Sequence, residues 1–339
     1  MAKQWRAAGG ATRWVAVMLA VGLPLLAQAQ ATSQTSSTWR ERWQQRRAES
    51  HAASTTATIN GPGDYALSMD HAGLQRLYRV HVPASYRADK AVPLVLVLHG
   101  GGGDAEIQAN DAYYGQISKS DAEGYVVAFP NGFSRFKSGK LGTWNAGLCC
   151  GAARDQGVDD VGFLRALVQH LRSQLNIDAG RVFADGMSNG GMMAYRLACE
   201  AGDVFKAVAS VAGTDNTRSC SPGRPLSILH IHAKDDDMVL FNGGAGRLRE
   251  QVNDFVSVPE TTRRWVQRNG CATTPRRVLE VAGATCDVYA PCSGGTEVKL
   301  CITDTGGHSW PGGTKPRGGA SGSTALSATD EIWAFFNSR

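Results

Sequence analysis

Apolar residues recur along this chain in two alternating rhythms. Pro93–Leu98 (PLVLVL), Tyr125–Phe129 (YVVAF), Phe205–Val211 and Leu226–His232 are short runs of mostly apolar residues. That is the pattern of strands buried on both faces. Arg181–Ala184 is a shorter run of the same kind, and Leu74–Val82 alternates as a strand with one buried face would. Between these runs, the stretches near 105–122, 159–175, 189–199 and 327–337 read as helices. Strand and helix in alternation predict an α/β fold, with a mostly parallel central sheet and helices on both faces. A Gly-rich segment at 130–157 and a Gly/Ser/Thr-rich one at 312–325 break both rhythms and read as loops. No internal repeat is evident.

The ends of the chain follow different rules. Lys3, Arg6 and Arg13 precede a short apolar run, Trp14–Leu26, and then Ala27-Gln28-Ala29. This is the order of a secretory signal peptide over 1–29, and its apolar run is too short to span a bilayer comfortably. Residues 30–60 are rich in Ser, Thr, Ala and Gln and read as a flexible basic linker. Thr38–Glu49 forms one helical segment within it. Trp39 and Trp43 share a face there, yet no broad apolar stripe develops, so a solvated helix is expected over a surface-binding one. The predicted catalytic unit is a single domain over 61–339.

Charge sharpens this division. The formal net charge is +5, and residues 1–50 alone hold seven Lys/Arg against two acids. The remainder balances to zero, so the predicted domain offers no basic footprint for nucleic acid. Eight cysteines behind a leader point to disulfides in a secreted protein, periplasmic or extracellular. They allow 105 full pairings. Cys149 and Cys150 are neighbours, and each is expected to pair elsewhere or stay reduced, because a bond between neighbours is strained. No CxxC…CxxC spacing occurs, so no metal and no organic cofactor are expected.

The chemistry concentrates in three loops. Gly186-Met187-Ser188-Asn189-Gly190 is a GxSxG motif between a predicted strand and a predicted helix. Such a turn lifts a serine hydroxyl into the open and aims a helix N-terminus at developing negative charge. A serine needs a base, and in this arrangement an acid and then a histidine follow it along the chain. Asp235, Asp236 and Asp237 follow the 226–232 strand, and chemistry alone does not choose among them; at least two are expected to be bystanders. His308 sits in the Gly-rich loop GGHSWPGG (306–313) and is the expected base. His230 and His232 alternate inside an apolar strand and read as core or supporting residues. His99-Gly100-Gly101-Gly102-Gly103 follows the PLVLVL strand and matches an oxyanion loop, with N–H donors expected from Gly101 and from Asn189. Trp144 and Trp310 are the expected substrate contacts, Trp144 having a structural plug as its other reading.

Five segments, LVLHGGGG (96–103), WNAGLCCG (144–151), VDDVGFL (158–164), GMSNGGMMAYRLAC (186–199) and GGHSWPGG (306–313), together resemble the polyhydroxybutyrate-depolymerase-like esterases of the α/β-hydrolase superfamily, relatives of feruloyl and acetylxylan esterases. The resemblance covers about 65–338. It implies a Ser188–Asp236–His308 triad, Asp236 being selected as the acid three residues before Val239. It further implies a secreted serine esterase acting through an acyl-enzyme on polyester or hydroxyalkanoate oligomers. Feruloyl or acetylxylan esters are the alternative substrates, and a noncatalytic binding protein on the same scaffold is the alternative class. No substrate-binding domain is expected after the last helix, which favours soluble or amorphous substrates over crystalline polymer.

Overall fold

The computed structural model describes residues 58–246, 254–315 and 321–339. The predicted leader, the Thr38–Glu49 helix and nearly all of the linker lie outside the described residues. The described chain is built on a ten-stranded sheet in the order β1-β2-β4-β3-β5-β6-β7-β10-β9-β8. Its strands are β1 (Gly63–His71), β2 (Leu74–Val82), β3 (Val92–Leu98), β4 (Val126–Pro130), β5 (Ile177–Met187), β6 (Ala207–Val211), β7 (Ser227–Ala233), β8 (Arg276–Val281), β9 (Ala284–Tyr289) and β10 (Val298–Thr303). The six central strands, β4-β3-β5-β6-β7-β10, run parallel, and antiparallel pairs close both edges.

Every residue of β3, β4, β6 and β7 is buried, as their continuous apolar runs require. The helices that cover them are α1 (Ala105–Gln108), α2 (Asp111–Tyr114), α3 (Gln116–Glu123), α4 (Gly151–Asp155), α5 (Asp160–Gln174), α6 (Asn189–Glu200), α7 (Val258–Arg268) and α8 (Ala328–Asn337). Leu164, Leu167 and Leu171 of α5 and Met193 and Leu197 of α6 enter one core cluster with Leu94, Leu96 and Leu98 of β3. The opposite face receives Trp333 and Phe336 of α8, and Phe336 stacks on Phe183 of β5 at 4.6 Å. Helices therefore cover both faces, as expected.

The single helix predicted near 105–122 is three short ones. Asn110 caps α2, and Gly115 adopts φ 64° between α2 and α3, which interrupts the hydrogen-bond ladder. The predicted 130–157 loop contains α4 at its end. Six cysteines pair as Cys199–Cys220, Cys271–Cys292 and Cys286–Cys301. Cys149 and Cys150 are bonded to each other across a cis peptide, contrary to the expectation that each would pair elsewhere. With the other six already matched, no other cysteine remains for either.

Candidate active site

β5 ends at Met187 and α6 begins at Asn189, so Ser188 is the whole of the turn between them. Its backbone sits at φ 55°, ψ −120°, a region that a residue bearing a Cβ rarely visits. Ser188 N–H donates to Val211 O at 2.7 Å, and Met192 N–H donates to Ser188 O at 2.9 Å, so sheet and helix together hold this strained residue. The flanking glycines are steric necessities. A Cβ on Gly186 would lie 2.5 Å from the carbonyl carbon of Gly190, and one on Gly190 would strike the carbonyl oxygens of Leu98 and His99. The Ser188 side is half-buried, and it faces the glycine run that follows β3: a Cβ on Gly100 would lie 3.6 Å from the Ser188 Cβ.

The acid and the base come from two strands that are hydrogen-bonded neighbours. Asp236 follows β7, His308 follows β10, and β10 pairs with β7 in parallel register. His308 Nδ1 lies 2.8 Å from Asp236 Oδ2. Of the three consecutive aspartates only Asp236 turns inward, at 3% exposure, while Asp235 and Asp237 are exposed. Its Oδ1 accepts from the N–H groups of Met238 and Val239, both at 2.9 Å. Its Oδ2 also lies 3.3 Å from His232 Nε2. Burial would raise the Asp236 carboxyl, but the hydrogen bonds from His232 and His308 outweigh it and hold the group below the ordinary carboxylate range. The dyad thus pairs a carboxylate with a donating imidazole nitrogen.

Asp235 is not the bystander that sequence reasoning expected. It accepts from the N–H groups of Gly306 at 3.3 Å and Gly307 at 2.7 Å, which are the residues just before His308. Adjacent aspartates therefore grip the same loop, one through its backbone and one through its imidazole.

The glycine run is held from behind. Gly102 donates to Gly142 O at 2.8 Å and Gly103 to Gly100 O at 2.9 Å, while Gly101 stays exposed beside Asn189. His99 is 1% exposed; its Nε2 lies 2.9 Å from Gly132 N and its Nδ1 lies 2.8 Å from Gly100 O. Because Gly132 N–H can only donate, Nε2 carries no proton, and Nδ1–H donates to the Gly100 carbonyl. Burial pushes the imidazole down to about 4, so it is neutral at physiological pH.

Asn189 is buried, and its side chain is fully matched: Oδ1 accepts from Trp144 N–H at 2.7 Å, and Nδ2 donates to Trp144 O at 3.0 Å. Its backbone N–H is the first of α6 and belongs to the unpaired donors at a helix start. The two predicted substrate contacts lie elsewhere than expected. Trp144 is fully buried, and its indole N–H donates to His99 O at 3.0 Å. Trp310 is 3% exposed, donates to Thr329 Oγ1 at 2.9 Å and packs edge-on against Tyr114 at 5.5 Å. Neither indole has an open face for a ligand; Trp144 is the plug, and Trp310 seals the base of the His308 loop. The exposed apolar residues near this end of the sheet are Phe136, Leu141 and Leu148, all on the loop after β4. Among the described residues, the one cluster with metal-ligand geometry is Cys286, Cys301 and Glu331, whose two sulfurs are bonded to each other.

A serine on a strained turn after a central strand, with an Asp–His pair two and three strands further across, is the α/β-hydrolase arrangement. A structure neighbour bears out this fold: the acetyl xylan esterase from Aspergillus awamori aligns over 81% of this chain and 99% of its own, at TM-score 0.56 and 13% identity. Residues 73–269 match the Esterase family, and the chain belongs to it. Feruloyl esterase B of Piromyces equi is 31% identical over 236 residues, 68% of this chain and 42% of that enzyme. Feruloyl esterase C of Emericella nidulans is 29% identical over 266 residues, 77% of this chain and 83% of that enzyme. The chain thus spans less than half the length of the Piromyces relative.

Proposed function

We propose that this esterase works through an acyl-enzyme. Ser188 Oγ attacks the ester carbonyl, His308 takes its proton, and Asp236 holds the imidazole in the tautomer that can accept it. The oxyanion receives the N–H groups of Gly101 and Asn189, and His308 returns the proton to the departing alkoxide. Water then repeats the sequence to release the acid. The observation that carries this reading is the 2.8 Å bond between His308 Nδ1 and a buried carboxylate that also accepts from two backbone N–H groups. Only Nε2 of His308 is left to serve as the base. The three long-range disulfides fit a secreted enzyme, and no helix of the described residues is long and apolar enough to cross a membrane.

For the substrate, we place feruloyl or acetyl esters of plant cell-wall polysaccharide first, on the strength of the relatives' names. Oligomers of hydroxyalkanoates are the second reading, favoured by the motif set that resembles polyhydroxybutyrate depolymerases. Side-by-side turnover of methyl ferulate and 3-hydroxybutyrate oligomers decides between them. For the mechanism, Ser188→Ala is expected to lower kcat on p-nitrophenyl acetate by more than about ten-thousandfold, with far-UV circular dichroism and melting unchanged. Retained turnover in a folded variant overturns the assignment.

A further inference from the structure

His230 and His232 stand two residues apart on β7, so both side chains project from one face. Both are 1% exposed, and the rings are nearly parallel, at 5° with centroids 5.2 Å apart. They join a continuous chain of hydrogen bonds. Tyr195 Oη, from α6, lies 2.7 Å from His230 Nδ1. His230 Nε2 lies 3.1 Å from His232 Nδ1. His232 Nε2 lies 2.8 Å from Val239 O and 3.3 Å from Asp236 Oδ2.

The proton positions follow from the far end. A backbone carbonyl and an ionised carboxylate only accept, so His232 Nε2 must carry a proton. In a neutral ring its Nδ1 then accepts, so His230 Nε2 donates, His230 Nδ1 accepts, and Tyr195 O–H donates. Every donor finds an acceptor. If His232 were instead an imidazolium, each bond upstream would reverse. Tyr195 would then accept from His230, and its own buried proton would have no acceptor among the described residues. A cation would also sit fully buried on the strand. Burial likewise pushes His230 well below the usual imidazole range, reinforced by its neighbour His232. The other charged groups that face this chain are Asp236 and His308 at one end and, near Tyr195, Asp215 and Arg268.

We propose that His232 is a positioning residue for the triad acid. Its Nε2–H, oriented by the Tyr195–His230 relay, donates to Val239 O at 2.8 Å and lies 3.3 Å from Asp236 Oδ2, bracing the carboxylate toward His308 both directly and through Val239, whose own N–H donates to Asp236 Oδ1. The proposal rests on the acyl-enzyme reading of Ser188, Asp236 and His308. Without this donor the carboxylate keeps its charge but becomes more basic and freer to rotate about its Cβ–Cγ bond. His308 then binds its proton more tightly and is less often aligned.

The test has two arms. In the full-length enzyme, ring nitrogen NMR at neutral pH should find both His230 and His232 as neutral Nε2–H tautomers. In kinetics, His232→Leu should lower kcat about thirtyfold with KM within about twofold, the loss expected for one hydrogen bond to a charged group. The acidic limb of kcat/KM should move up by about half a pH unit. His232→Gln, whose amide N–H reaches the Nε2 position, should stay within about threefold of the wild type. Tyr195→Phe, which removes one oxygen and tests the relay should His232→Leu fail to fold, should move the limb the same way and lower kcat about threefold. An Nδ1–H tautomer or an imidazolium at either ring overturns the proposal. So does a folded His232→Leu, or a Tyr195→Phe, with the wild-type kcat and pH profile. Ser188→Ala separates the two levels: turnover surviving that change sinks the acyl-enzyme reading itself, whereas its loss beside an unaltered His232→Leu sinks only the positioning role.

Discussion

Acid should unfold this enzyme partly through one histidine. His99 is enclosed between Gly100 O and Gly132 N, with Trp144 packed against it at 5.1 Å. Protonating Nε2 would set a cation's N–H against the Gly132 N–H, so the folded state refuses the proton until about pH 4. The unfolded chain takes it near pH 6.5, the ordinary imidazole value. The stability that neutral His99 provides is thus complete above about pH 6.5 and is lost as the pH falls toward 4. Lowering the imidazole from its ordinary value to about 4 corresponds to about 3 kcal/mol. Between about pH 7 and pH 4.5 about 2 kcal/mol of this should disappear. His99→Gln does not titrate and keeps an acceptor near Gly132 N–H. Urea unfolding of wild type and variant at the two pH values should show the variant less stable at neutral pH, but losing about 2 kcal/mol less on acidification. Equal losses in the two proteins would refute the argument. Other carboxylates and histidines contribute to both curves alike and cancel in the difference.

Three further outcomes are expected. Asp235→Ala frees the Gly306 and Gly307 N–H groups and should lower kcat/KM about tenfold with little change in melting temperature, whereas Asp236→Ala should cost at least about a thousandfold; equal effects would place the two aspartates wrongly. Gly190→Ala drives a methyl group into the Leu98 and His99 carbonyls, and should destabilise the fold by about 3 kcal/mol and abolish esterase activity, measured by denaturant titration alongside p-nitrophenyl acetate turnover. Replacing Cys199 and Cys220 with Ser opens a loop with a sequence separation of 21 and should remove about 3 kcal/mol, read as a lower urea midpoint without reductant.

The parallel centre of the sheet was legible because strands buried on both faces must be continuously apolar. The elbow was legible because Gly186 and Gly190 are demanded by backbone contacts as close as those around Ser188. The edges were not. β8 (RRVLEV) exposes five of its six residues, and β1 alternates only loosely, so neither carries an apolar signature. α7 was missed although Ser257 and Glu260 stand at capping-box spacing ahead of it and the Ser257 side chain accepts from Glu260 N–H at 3.1 Å. In the site, the proposed Ser188 and His308 were readable from motif and chain order and the proposed Asp236 only through the family resemblance, while Asp235's hold on the His308 loop was not readable. Nothing in the composition of three adjacent aspartates says which one folds inward. The tryptophans misled for a related reason: an indole beside an active-site motif serves a ligand or a wall equally well, and only burial distinguishes the two.

The paired hydrogen bonds between Asn189 and Trp144 have a consequence for attempts to change what this enzyme accepts. Residues 131–150 carry the exposed Phe136, Leu141 and Leu148, which makes them a natural segment to exchange with a relative. Yet the backbone of Trp144 in that segment is the partner of the residue next to Ser188. A transplanted loop that fails to present its own N–H and C=O at this point would leave the buried Asn189 amide unmatched beside Ser188. The loop after β4 and the turn at Ser188 are thus structurally coupled, and a graft should keep residues 143–146 from the recipient and vary only what lies on either side.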